Sequence, residues 1–457
     1  MARPKSVVNG LSSAGLYRGM YCPPAMQAVF SARQTLQSML DVEAALASAL
    51  VRAGVVPARA LPAIRRACQA DLYDPAALQA AGRLAGNLAI PLVKALTAEV
   101  AARSRPAAKY VHWGATSQDI IDTGLVLQMR AGFGLLLADL ARLDRVVAAL
   151  ARRHRRSVMA GRTWLQQAAP VTFGLKAAGW LSALRRDRAR LRRAAAETAV
   201  LQFGGAVGTL AALGPAAPKV ASALAAELRL VLPDLSWHGQ RDRIVEAASA
   251  LGILTGNLGK IARDVSLLMQ TEIAEVAEPA AAGRGGSSTM PHKRNAVGCA
   301  AVLALAQRVP PLVAALMAAM PQEHERGLGG WQAEWPLLPE VFELTAGALA
   351  QMTDALDGLE VDAARMRRNL DATDGLIMAE AVALALAGKI GKPAAHHLLE
   401  TASLEAVRRR QPLQVVLHGM PEVMRHLDAA ALRRLFMPAN YLGQADRQIT
   451  RVLKRRG

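Results

Sequence analysis

The chain has 457 residues, enough for a large buried core and, by length, two to three domains. Hydrophobic residues make up 52%, mostly Ala and Leu, while aromatics are 4%, a balance that points to helix rather than sheet. The net charge of +19 suits either a nucleic-acid binder or a protein that attracts a polyanionic small molecule, yet no aromatic RNA-binding pattern, zinc finger or basic tail accompanies it.

No uninterrupted apolar run reaches the ~20 residues of a membrane span, and the N-terminal stretch lacks the apolar segment of a signal peptide. Cys22, Cys68 and Cys299 form no CxxC and no disulfide framework, so a reducing cytoplasm is the expected location.

Apolar residues recur at helical spacing from Ala32 to Leu50, and Gly54 closes that helix. Helical patches continue to Arg103, interrupted at Pro57, Pro62 and Pro75, which makes residues 1–111 a small N-terminal helical domain. His112 to Asp119 is a polar loop in which Thr116 or Ser117 caps the next helix and Asp119 favours its positive end. A long helix is expected from Ile120 to Arg156, a loop over Gly161–Pro170, and a second long helix from Phe173 to Gln202.

Ile244, Leu251, Leu258 and Val265 lie seven apart, with Ala247, Leu254, Ile261 and Leu268 three residues after each, an apolar seam kept for four heptads. A fourth helix runs from Asn295 to about Met320 with a kink at Pro310-Pro311, and a fifth covers Leu337–Leu356. Residues 112–361 thus form a central long-helix bundle, and 362–457, broken at Pro393, Pro412, Pro421 and Pro438, a third, helical domain. The expected fold is all-α, with no strand region and no internal repeat.

The densest chemistry lies in the loop 283–296, where Gly285 and Gly286 precede Ser287, Ser288, Lys293 and Asn295. Such a loop can close over an anion, with a serine placed for proton transfer and Lys293 holding negative charge; a solvated Gly/Ser loop has the same composition. The hydroxyls of Thr116 and Ser117 at a helix start form an anion site, a role compatible with capping. His112 reads equally as a structural imidazole and as a substrate-facing one. Adjacent His396-His397 and the Glu323-His324-Glu325 run lack the spacing of metal ligands, and no phosphate-binding loop occurs, so neither a metal nor a cofactor is expected. Cys299, within a helical pattern, reads as core.

The string GSSTMPHKRN closely resembles the signature loop of the fumarase/aspartase/argininosuccinase superfamily, whose members add or eliminate groups across a C–C bond beside a carboxylate. HWGATSQDIIDT and GRTWLQQ are similar to its first and second shared segments, and QFGGAVGT to the Gly-rich turn of its adenylosuccinate lyase-like members. The resemblance implies a homotetramer whose active sites are shared between subunits, acting on a small polycarboxylate, with no nucleic acid or membrane as partner. It also implies catalytic roles for Ser287, Lys293 and His112, and substrate contacts from Thr116, Ser117, Trp164, Gln167, Ser288, Asn295 and Arg326.

Two departures narrow the reading. Most of the superfamily carries Thr-His in the second segment, the His serving as general acid for the leaving group; here the pair is Thr163-Trp164. An alkoxide or amine needs that proton, whereas a carboxylate, with a pKa of about 4, does not. Trp335 stands where adenylosuccinate lyases carry an Arg, which disfavours a purine-succinate substrate. The strings RTWLQQAAPVTFGLKAAGWLSAL, WHGQRDRIVE and GGWQAEWPLLPE resemble the superfamily's cycloisomerase branch. That resemblance implies cofactor-free lactonisation of 3-carboxy-cis,cis-muconate in protocatechuate catabolism. The alternatives are a lyase of the adenylosuccinate or argininosuccinate type and, outside enzymes, a basic helical scaffold or nucleic-acid binder.

Overall fold

A computed structural model describes residues 17, 19–286, 289–290 and 292–455 of the chain. The first long helix, α1 (Ala32–Arg52), starts where the Ser31 hydroxyl accepts the Gln34 amide N–H, and ends ahead of Gly54, whose φ of +79° needs no Cβ. Several prolines expected to interrupt helices instead open them. Pro62, Pro75, Pro393 and Pro421 each occupy the first turn of a helix, where the missing N–H would have had no partner.

Five long helices follow: α2 (Ser117–Arg153), α3 (Phe173–Thr198), α4 (Asp242–Leu268), α5 (Val297–Ala318) and α6 (Gly330–Leu356). All eight seam positions of α4 are buried, as the heptad pattern requires. The helix α5 runs through Pro310 and Pro311, and α6 begins at Gly330 rather than Leu337 despite Pro336 and Pro339. That earlier start places Trp331 and Glu334 on a helix. By length and composition α2 and α5 could each cross a membrane; 61% of the apolar window of α2 and 33% of that of α5 are buried inside the protein. Polar residues such as Arg130 and Arg308 interrupt both, so an uninterrupted-run criterion passes over them.

The chain gathers into two compact units, and the division falls inside all five long helices. The first comprises the stretch up to Leu140 with Asp187–Leu258 and Ala304–Ala350; the second comprises Ala141–Arg186, Gly259–Leu303 and the stretch from Gln351. In the first, Phe342 packs edge-on against Phe133 at 4.9 Å, and Gly132 leaves space that a Cβ would close to 2.8 Å. In the second, Val382, Leu386, Leu399, Leu413, Leu417 and Leu432 centre a core of the C-terminal helices.

The second unit also corrects the expectation that strands are absent. The stretch Gly161–Pro170, expected as a loop, belongs to an antiparallel hairpin of β1 (Val158–Thr163) and β2 (Gln166–Thr172). Gly161 and Pro170 suggest a loop in the sequence, but Gly161 sits at a register shift where a Cβ would lie 2.6 Å from the Ala169 carbonyl oxygen. A shorter pair joins β3 (Val276–Ala277) to β4 (Glu360–Val361).

Candidate active site

In the first unit, Asp119 organises the start of α2. Its buried carboxylate accepts the backbone N–H of Thr116 (3.0 Å), Gly204 (2.9 Å) and Gly205 (2.9 Å), and meets His238 Nε2 at 2.8 Å. The contact with Thr116, paired with Asp119 N–H donating to the Thr116 carbonyl, closes the helix start as a capping box does. Gly204 must be glycine here, since a Cβ would meet Ser236 at 2.6 Å, and Gly205 takes a φ of +67°. One carboxylate therefore fixes both the turn at Thr116 and the Gly-rich turn, beyond the place at the helix's positive end expected of it.

One turn further, Asp122 accepts both terminal nitrogens of Arg241 (2.7 and 3.2 Å) and the indole N–H of Trp331 (2.9 Å). Arg241 is fully buried, also donates to Glu334, and lies 4.9 Å over the Trp237 ring. Burial opposes its charge, but Asp122 and Glu334 outweigh burial and raise its pKa. Glu334 is held above the ordinary carboxylate range by its own burial, against the pull of Arg241. Trp335 stacks edge-on against Trp331 at 5.0 Å, and its buried indole N–H has no hydrogen-bond partner among the described residues. Asp122, His238, Arg241 and Glu334 were not singled out from the sequence; the polar run WHGQRDR ahead of an apolar helix was the available signal.

Arg326 donates to the Thr116 hydroxyl (3.0 Å) and to the Ala206 carbonyl (2.7 Å) and, among the described residues, has no carboxylate partner. The Ser117 hydroxyl, at the first position of α2, likewise has no partner among them. His112, at a φ of +58°, places Nδ1 2.5 Å from a carboxylate oxygen of the buried Glu43. Burial alone would lower the pKa of this imidazole, but the charge and hydrogen bond of Glu43 and the charge of Asp119 raise it above its ordinary value. His112, Thr116, Ser117 and Arg326 thus lie in one unit, with Arg326 bonded directly to Thr116.

In the second unit, Trp164 and Leu165 are the two turn residues of the β1–β2 hairpin, 97% and 79% exposed. Gln167, expected to contact substrate, donates its side-chain N–H to the Asn369 carbonyl at 2.9 Å, and its buried amide oxygen has no partner among the described residues. At the base of the signature loop, the Glu278 carboxylate accepts the N–H of Gly298 (3.0 Å) and Cys299 (2.8 Å), capping α5. Asn295 N–H donates to the Gly285 carbonyl at 2.8 Å, and a Cβ on Gly285 would lie 2.7 Å from the Asn295 oxygen. Arg294 is anchored to Glu360 by two bonds of 2.8 Å.

Lys293, beside it, is exposed and has no ion-pair partner among the described residues. Ser287 and Ser288, the expected proton donor and its neighbour, lie outside the described residues. Cys299 is fully buried, and burial together with Glu278 pushes its thiol pKa up, which suits core packing and not a thiolate nucleophile. Among the described residues no three of His, Cys, Asp and Glu converge as metal ligands.

Known proteins bear directly on this arrangement. The lyase family matches residues 21–310, and the adenylosuccinate lyase C-terminus family matches residues 375–452. A 3-carboxy-cis,cis-muconate cycloisomerase of Pseudomonas aeruginosa is 58% identical over 96% of this chain and 95% of its own length. One from Bradyrhizobium diazoefficiens is 56% identical over 95% of this chain and 96% of its own. The crystal structure of the 3-carboxy-cis,cis-muconate lactonizing enzyme from Pseudomonas putida superposes with a TM-score of 0.92 at 52% identity, covering 96% of this chain and 98% of that one.

Proposed function

The chain belongs to the lyase family, and from that premise we propose that it cyclises 3-carboxy-cis,cis-muconate to 4-carboxymuconolactone without a cofactor. The observation that carries this reading beyond family membership is Trp164, an indole presented at a hairpin tip where the superfamily's general acid would stand. The reaction is an intramolecular addition. A carboxylate oxygen adds to a conjugated C=C bond, the C–O bond forms, and the displaced electron pair moves into the neighbouring carboxylate as an aci-carboxylate. One proton, delivered to the adjacent carbon, completes the lactone. In reverse the departing group is a carboxylate, with a pKa of about 4, so an imidazole acid is dispensable.

Ser287 transfers the proton to and from carbon in this mechanism. Lys293 and Asn295 stabilise the carboxylate that accumulates charge, and Ser288 adds a second hydroxyl. Thr116, Ser117 and Arg326 hold a carboxylate that does not react, and the proton on His112 adds positive charge beside them. Among the described residues neither Arg326 nor Lys293 has a carboxylate to leave before meeting an anion, which supports these roles. A homotetramer with sites shared between copies, in the cytoplasm, completes the proposal; light scattering checks the assembly, and a fully active species of 48.4 kDa would refute it.

The match of residues 375–452 to an adenylosuccinate lyase C-terminus favours a second reading, a succinyl-compound lyase. Trp335, in place of an Arg that would meet the purine-succinate, weighs against it. One assay separates the two: loss of diene absorbance with 3-carboxymuconate is the expected result. Efficient cleavage of adenylosuccinate or argininosuccinate with no action on 3-carboxymuconate would overturn the assignment.

A further inference from the structure

The hairpin that carries Trp164 has a turn its sequence does not favour. Thr163 pairs with Gln166, so Trp164 and Leu165 form a two-residue turn, and both take a positive φ, +53° and +64°. Two positive φ values in succession are the mark of a type I′ turn, which selects Asn-Gly or Gly-Gly. A side chain other than Gly, Asn or Asp in the left-handed region crowds its Cβ against the following carbonyl oxygen, so Trp164 and Leu165 both sit in a disfavoured conformation. Both side chains also project into solvent, so no packing of their own holds them. Something else must fix this turn.

The next cross-strand pair, Arg162 and Gln167, supplies the restraint. Arg162 makes a two-pronged contact with Glu275, at 2.9 and 2.7 Å, and the Glu275 side chain is completely buried. Gln167, on the opposite strand, donates to the Asn369 carbonyl at 2.9 Å. The Asn369 side chain then donates to the same Glu275 carboxylate at 2.9 Å and to the Ile273 carbonyl at 2.8 Å. These contacts close a ring through Arg162, Glu275, Asn369 and Gln167. Both strands are tied, one pair below the turn, to residues that are themselves tied together. Within this second unit the ring depends on a buried carboxylate with three strong donors, the kind of contact that resists displacement.

We infer that Glu275 and Asn369 are positioning residues for Trp164: they hold the disfavoured turn so that the indole is presented in one orientation to the substrate. The inference rests on the proposed role of Trp164 in lactonisation. Loss of the ring leaves the hairpin paired but lets the turn relax to φ < 0 conformations that redirect the indole.

The test is Asn369→Ala, which removes one link and leaves the Arg162–Glu275 pair intact. In the full-length enzyme its kcat on 3-carboxymuconate should fall by ~10-fold, the scale of a misplaced contact group, with the helical circular dichroism unchanged. Leu165→Gly, which makes the second turn residue intrinsically suited to a positive φ, should restore most of that loss when combined with Asn369→Ala. In a Trp164→Ala background, Asn369→Ala should cost nothing further. Should Asn369→Ala fail to fold, Arg162→Lys, which cannot make the two-pronged contact, carries the same three comparisons. A kcat loss that Leu165→Gly does not rescue, or that persists undiminished without Trp164, would overturn the positioning role. If Trp164→Ala itself turns over like the wild type, the proposed function of Trp164 fails instead.

Discussion

The buried cluster at the start of α2 and the loop around Lys293 are built from the same kinds of residue and are used in opposite ways. In the first, Asp119, Asp122, His238, Arg241 and Glu334 are all buried, and each meets a protein partner of matching charge or hydrogen-bonding capacity. In the second, Lys293 is exposed and has no ion pair among the described residues, while its neighbour Arg294 is fixed to Glu360. Titratable residues in a conserved-looking string are therefore no guide by themselves. Groups whose capacity is already used inside the protein serve as scaffold, and those left over are available to a ligand. Arg326 shows the division within one side chain: two donors are used on Thr116 and Ala206, yet its charge is not neutralised.

The largest effect should come from breaking the buried side of this comparison. Removing one partner of a buried ion pair typically costs about 3–5 kcal/mol, because the remaining charges are left without compensation. Arg241→Ala would leave Asp122 and Glu334 facing each other in the interior, so unfolding in urea should shift to much lower concentrations. A variant of wild-type stability would mean that water reaches this cluster and that its burial is not what holds it.

Ser287→Ala and Lys293→Ala probe the other side. General acid–base groups typically contribute ~10²–10⁴-fold, so Ser287→Ala should lose activity on that scale, and Lys293→Ala should follow at the lower end. Neither should shift the urea midpoint. A stability loss in Lys293→Ala would place the lysine among the scaffold residues and erase the contrast.

Much of this contrast was unreadable in advance. The helices announced themselves, because the α4 seam and the apolar spacing of α1 are periodic and need nothing beyond local chain geometry. The family was legible from strings such as GSSTMPHKRN. The β1–β2 hairpin was hidden because a glycine at a bulge and a proline at a strand edge look like loop residues until their partner strand is known. Asp119 was legible as a charge favouring the positive end of a helix; that it also organises Gly204, Gly205 and His238 was not, since those residues are 85 to 119 positions away. Gln167 looked substrate-facing because it sits in a shared segment, and its bond to Asn369 depends on a residue 202 positions distant.

The smallest expected effect belongs to His112, and it lies between the two categories. The imidazole is partnered, by Glu43, but the partner is a carboxylate that favours a charged ring, so His112 is held inside the protein in a setting that favours its proton. An ordinary histidine titrates at 6.5, and in the folded protein Glu43 and Asp119 raise His112 above that value although burial pulls it down. The sign follows from linkage. Below the unfolded value both states carry the proton, and the stabilisation from the charged pair is fully present. Between the unfolded and the raised folded value the unfolded chain releases a proton that the folded chain keeps, so stability declines as pH rises. Above the folded value the contribution is gone. His112→Gln keeps a donor for Glu43 but cannot titrate, so the stability gap between wild type and variant should be widest below the ordinary histidine value of 6.5 and should narrow as pH rises through the raised folded value. A gap that stays constant as pH rises would mean that His112 holds its proton no better folded than unfolded, and that Glu43 does not favour the charged ring.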